Sequence, residues 1–141
     1  MTTRQLLEGR HSHAAGLKEL QDIQRQLFTI NTRKDPDKAL RNAERIGGLG
    51  MAGASGLLAI LFPEDFGTVD QFVVENLWKI PEYLPSLPEK GDDNKINISL
   101  THAVFMVTVF REKADELNRK FRSDYWTPRR IDMALWGTRG K

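Results

Sequence analysis

The sequence predicts an all-α protein, a compact helical domain, and three observations carry that reading. Apolar residues recur at intervals of three and four in the long segments, helix-starting residues stand just ahead of them, and no two segments alternate as paired strands do. At 141 residues the chain is expected to form a single domain, long enough to bury a core without cross-links.

The elements follow in order. Residues 1–13, "MTTRQLLEGRHSH", have no apolar core of signal-peptide type and are expected to be flexible. From Ala14 to Phe28, Leu17, Leu20, Ile23 and Leu27 mark an amphipathic helix. In "DPDKALRNAERI", Asp35 can cap a second helix and Pro36 suits its first position, where a missing N–H costs nothing. Ala39, Leu40, Ala43 and Ile46 are its apolar stripe, and Gly47 and Gly48 are expected to end it. Small residues Ala52, Ala54, Ser55 and Gly56 then precede Leu57, Leu58, Ile60 and Leu61, predicting a third helix packed closely on the second, the pair spanning about 36–62.

Pro63 stops that helix, "PEDFGTV" makes a loop, and Asp70 stands as an N-cap ahead of Phe72, Val73, Leu77 and Ile80. Residues 81–97, rich in proline and charge, read as a flexible loop. Ser99 can cap the longest helix, with Val104, Phe105, Val107, Phe110, Ala114, Leu117 and Phe121 as its apolar positions. A last helix should open at Thr127-Pro128 and carry Ile131, Ala134, Leu135 and Trp136.

Composition narrows the function classes. Hydrophobic residues at 40% and charged residues at 28% exclude wholesale disorder. The absence of cysteine removes disulfides, thiolate zinc sites and cysteine nucleophiles together. No signal-type apolar segment opens the chain and no run is long enough to span a membrane, so an intracellular, cytoplasmic protein without a membrane partner is expected. Net charge is only +2, but basic residues gather at Arg33–Arg45 and near the C-terminus while acids crowd Glu64–Asp93, a split that permits a basic face for nucleic acid.

The stretch "IGGLGMAGASGLLAILFPEDFGTVD" holds the candidate chemistry. A helix N-terminus after a glycine turn offers unpaired backbone N–H groups and a partial positive charge, enough to hold a phosphate without a basic side chain. Glycine lets the backbone come close. The same turn also serves as a packing device between helices.

"IGGLGMAGAS…FGTVDQFVVENL" resembles the helix-hairpin-helix motif and following aspartate of the base-excision DNA glycosylase superfamily. Gly48-Leu49-Gly50 stands as the hairpin and Val69-Asp70 as the Val-Asp pair heading the next helix. "TPRRIDMALWG" is similar to the end of a bacterial branch with an 8-oxoguanine DNA glycosylase fold, in which an Asp-x-Ala-Leu-Trp stretch closes the domain. The likeness covers roughly Asn31–Asp70 and Thr127–Gly137.

The resemblance implies that the amides of Gly48, Leu49, Gly50, Met51, Ala52 and Gly53 hold a phosphate of duplex DNA, with a monovalent cation on the turn's carbonyls. Asp70 would then be the catalytic carboxylate, stabilising an oxocarbenium-like sugar or activating water as a damaged, flipped base departs. Two departures shape the expectation. Ala52 occupies the place of the Schiff-base lysine of bifunctional members, which leaves hydrolysis without lyase chemistry. About 46 residues precede the hairpin, fewer than in members whose N-terminal segment builds the far wall of the base pocket. The alternative is a noncatalytic module, binding DNA or a protein partner, with Asp70 serving only as a helix cap.

Other constellations are weaker. His11-x-His13 lacks the carboxylates that would complete a metal site, and His102 reads as a hydrogen-bonded helix residue. Trp78, Trp126, Trp136, Tyr83 and Tyr125 could stack on a base but are expected chiefly as core residues.

Overall fold

The computed structural model describes residues 14–31, 33–46 and 49–137. His11, His13, Gly47 and Gly48, and the expected flexibility of residues 1–13, lie outside them. The described residues form six α-helices: α1 (Ala14–Thr29), α2 (Pro36–Glu44), α3 (Met51–Leu61), α4 (Gln71–Leu77), α5 (Leu100–Phe121) and α6 (Pro128–Gly137). A 3-10 helix, Pro81–Ser86, lies between α4 and α5. The all-α expectation holds.

The helices pair as their small and apolar faces dictate. α2 and α3 make the most extensive contact, with Ala39, Leu40 and Ala43 of one helix and Ala54, Leu58 and Ala59 of the other fully or nearly fully buried. Alanine at these positions lets the two axes approach closely. α5 packs on α2, α3 and α6 and supplies Met106, Val107 and Phe110 to the centre of the core.

Three sequence expectations shift on inspection. Asp35 occupies the N-cap of α2 without a side-chain hydrogen bond to the helix, and Pro36 alone fulfils the expected start. The stripe of α5 is wider than expected: Val107, Phe110 and Ala114 are buried and are joined by Ala103, Met106 and Val109, whereas Phe121 at the helix end is exposed. Leu17 is likewise exposed on α1, where Ile23 and Leu27 carry the buried contact.

Residues 81–97 are not loop throughout. The 3-10 helix opens on Pro81, and an isolated antiparallel bridge joins Lys90 to Ile96 across a turn. Trp78 anchors the segment by donating its indole N–H to the Pro88 carbonyl at 3.0 Å.

Candidate active site

Asp70 stands at the N-cap of α4 in extended backbone, and its Oδ1 accepts the Val73 N–H at 2.9 Å. No second hydrogen bond to this carboxylate is made among the described residues. One oxygen is thus tied to the helix while the other stays available, and the side chain is half-buried.

The segment that delivers Asp70 is pinned residue by residue. Arg129 donates its backbone N–H to the Pro63 carbonyl, and Arg111 donates Nε–H to the Asp65 carbonyl at 2.8 Å. The Arg111 guanidinium also reaches the Arg33 carbonyl and lies 5.3 Å from the centre of the buried Phe66 ring. Gly67 comes next, and no side chain fits there: a Cβ would sit 2.6 Å from the Pro128 carbonyl oxygen and 2.9 Å from the Phe110 ring. The requirement is close approach.

Thr68 donates its N–H to Oδ2 of Asp132 at 2.6 Å, and Val69 donates its N–H to Ser55 Oγ at 2.9 Å. Ser55 in turn donates its O–H to the Ala52 carbonyl at 2.9 Å, so this buried hydroxyl is satisfied in both directions. α3, α5 and α6 thereby each hold part of the approach to Asp70.

Asp132 is fully buried and bonded through both oxygens to one guanidinium nitrogen of Arg129, at 2.9 and 3.1 Å. Burial pushes its carboxyl above the usual aspartate range, opposed by the Thr68 amide and Arg129 and reinforced by the charge of Asp70. Its position makes it a positioning residue, since Thr68 stands two residues ahead of Asp70.

The Asp70 carboxylate faces open space. A groove of about 410 Å³ is lined by Thr68, Asp70, Arg129, Asp132, Met133 and Trp136. A second, of about 260 Å³, continues over Gln71, Phe72 and Glu75, with Asp70 and Trp136 shared between the two. Trp136 lies on Phe72, ring centres 4.9 Å apart and planes tilted by 31°, and is 37% exposed. It is thus a groove wall, not the core residue expected. A carboxylate, a guanidinium already paired with Asp132 and an aromatic wall share one depression.

The hairpin half of the candidate site is partly described. Gly50 is the N-cap of α3, with φ −83° and nothing within 4 Å of where a Cβ would stand, so neither backbone nor packing inside the chain demands glycine. The first bond within α3 runs from the Ala54 N–H to the Gly50 carbonyl, which leaves the amides of Met51, Ala52 and Gly53 without helical partners. Met51 is buried and Leu49 half-buried, both anchoring the tip to the core. Gly53 is small for Leu49, whose Cδ2 would meet a Cβ at 2.8 Å.

The remaining candidates have structural roles. His102 closes a capping box: its N–H goes to Ser99 Oγ, and its Nδ1 accepts the Ser99 N–H, both at 3.2 Å. Trp126 is held through its backbone by Asn118, and Tyr125 stacks under the Arg130 guanidinium at 4.0 Å. Among the described residues, no group of three histidine or acidic side chains has metal-binding geometry, and no helix is long and apolar enough to cross a membrane.

Sequence reasoning assigned no site role to Asp132, Arg129, Ser55 or Gly67, although Asp132 opens the Asp-x-Ala-Leu-Trp stretch and Ser55 stands among the small residues of α3. Asp132 had a signal: it falls on the α6 face that buries Pro128 and Ile131, where a carboxylate needs a buried partner. Compared more widely, the chain matches no family model, no curated protein and no solved structure.

Proposed function

We propose that this chain binds duplex DNA through the α2–α3 hairpin and hydrolyses the N-glycosidic bond of a damaged nucleotide with Asp70. The observation that carries the reading is the Asp70 carboxylate, tied by one oxygen to the Val73 N–H and opening on a groove shared with Arg129 and Trp136. A filled space at this point would have argued for a cap and nothing more.

In this mechanism the free Asp70 oxygen stabilises the sugar as it gains oxocarbenium character, or takes a proton from the attacking water. Ala52 supplies no amine, so no covalent intermediate forms at the hairpin. The clamp through Thr68 and Val69 holds the carboxylate in place before the substrate arrives, which is where preorganisation lowers a barrier. Gly50, open on its outer side, lets a phosphate reach the α3 amides.

The N-cap bond of Asp70 suits a second reading, the noncatalytic module. Base release from duplexes carrying a panel of lesions separates them. Release by the native protein, lost in Asp70→Asn while duplex binding persists, is expected. Salt-sensitive binding without release selects the module, and neither binding nor release removes DNA from the account in favour of a protein partner.

A further inference from the structure

On α2 and its C-cap, Lys38, Arg41 and Arg45 recur at intervals of three and four, all exposed, along one side of a groove of about 430 Å³ whose other wall is Gln26, Thr29 and Ile30 at the end of α1. No carboxylate among the described residues lies within ion-pair distance of any of the three. Asp37 and Glu44 share the helix without pairing with them. They stand four positions before and three after Arg41, where pairing is sterically open, yet neither forms an ion pair with it.

Arg45 is oriented as well as charged. Its guanidinium donates to Gln26 Oε1 at 2.9 Å and to Asn42 Oδ1 at 3.2 Å, two neutral amide oxygens that fix the side chain without cancelling it. It also stands at the C-cap of α2, the last turn before the hairpin that ends at Gly50. In chain order the row is followed by the hairpin and the α3 N-terminus, where the proposed function places a phosphate.

We infer that Lys38, Arg41 and Arg45 form a phosphate-binding ridge that carries the backbone of a DNA duplex away from the hairpin. The inference rests on the proposed DNA-binding reading and adds the residues that supply its electrostatic part. A row of cations without ion-pair partners can follow successive phosphates and is indifferent to base sequence.

The test is the salt dependence of binding to a fluorescein-labelled undamaged duplex, followed by anisotropy, for the native chain and for Lys38→Gln, Arg41→Gln and Arg45→Gln, each checked by thermal melting. Each cation removed from a phosphate should lower the slope of log K against log salt by about 0.9. Arg45→Lys should keep the slope. Lys113→Gln, which removes the same charge from an ion pair with Glu116 on α5, should keep it too. Unchanged slopes in the three glutamine variants, with native binding intact, overturn the ridge and leave the hairpin reading standing. An equal fall in Lys113→Gln also overturns it, because net charge alone would then account for the effect. A native chain that does not bind duplex at all removes both readings.

Discussion

The carboxylate of the buried Asp132 takes the backbone N–H of Thr68 at 2.6 Å across 64 positions of sequence. A residue of the last helix thereby sets the loop that carries Asp70. The carboxylate proposed for chemistry and the one that holds it are coupled electrostatically, for the charge of Asp70 helps push Asp132 upward.

The pH dependence of stability should report this. Burial raises Asp132 in the folded state, so the folded chain holds that proton more tightly than the unfolded one. Native stability is then expected to fall as pH rises from about 4, the ordinary aspartate value, to the raised folded value, and to level off above it. Asp132→Asn should lack that fall. Urea unfolding at a series of pH values checks it, and a native stability that instead climbs relative to the variant through this window would contradict the direction of the shift.

Gly67→Ala should be costly out of proportion to one methyl group. The new Cβ meets backbone at Pro128 and a packed ring at Phe110, neither of which is the end of a flexible side chain. A loss of about 1–3 kcal/mol is expected from such overpacking. Base release should fall further than duplex binding, since the displaced segment carries Asp70 and not the hairpin. Denaturation midpoints and a release assay on one preparation measure both.

At Asp70, capping and chemistry separate by choice of substitution. Asn and Ser can accept the Val73 N–H, so their stability should stay within a few tenths of a kcal/mol of native, whereas Ala should cost about 1 kcal/mol. All three remove the carboxylate, and all three should abolish base release. Full release by the Ser variant would assign Asp70 to capping alone.

Gly50→Gln tests the hairpin without disturbing the core. With open space around the position and an ordinary φ, the change should cost less than about 1 kcal/mol. A side chain at the mouth of the amide cluster should nevertheless weaken duplex binding by about tenfold or more, roughly 1.4 kcal/mol. Anisotropy titration beside a melting curve distinguishes the two effects.

Local chemistry was legible in the sequence and long-range chemistry was not. Asp70 and Ser99 each announced a helix start because the amide they accept is three residues away. The α2–α3 pair was readable from alanine spacing for a similar reason. Asp35 had the right position, but its side-chain bond does not form, which position alone does not decide. The 3-10 helix at Pro81–Ser86 was hidden by Pro85, a residue that argues against an α-helix and tolerates this tighter one. The clamp of Asp132 on Thr68 could not be read at all, since nothing near either residue names the other.

That clamp also orders events during synthesis. As the chain emerges N-terminus first, α2 and α3 are complete once Leu61 is free, whereas α5, which packs on both, and α6 follow later. Asp70 must wait for Asp132. A chain halted before α6 would lack the carboxylate that holds Thr68 and would leave Asp70 at the end of an unclamped loop.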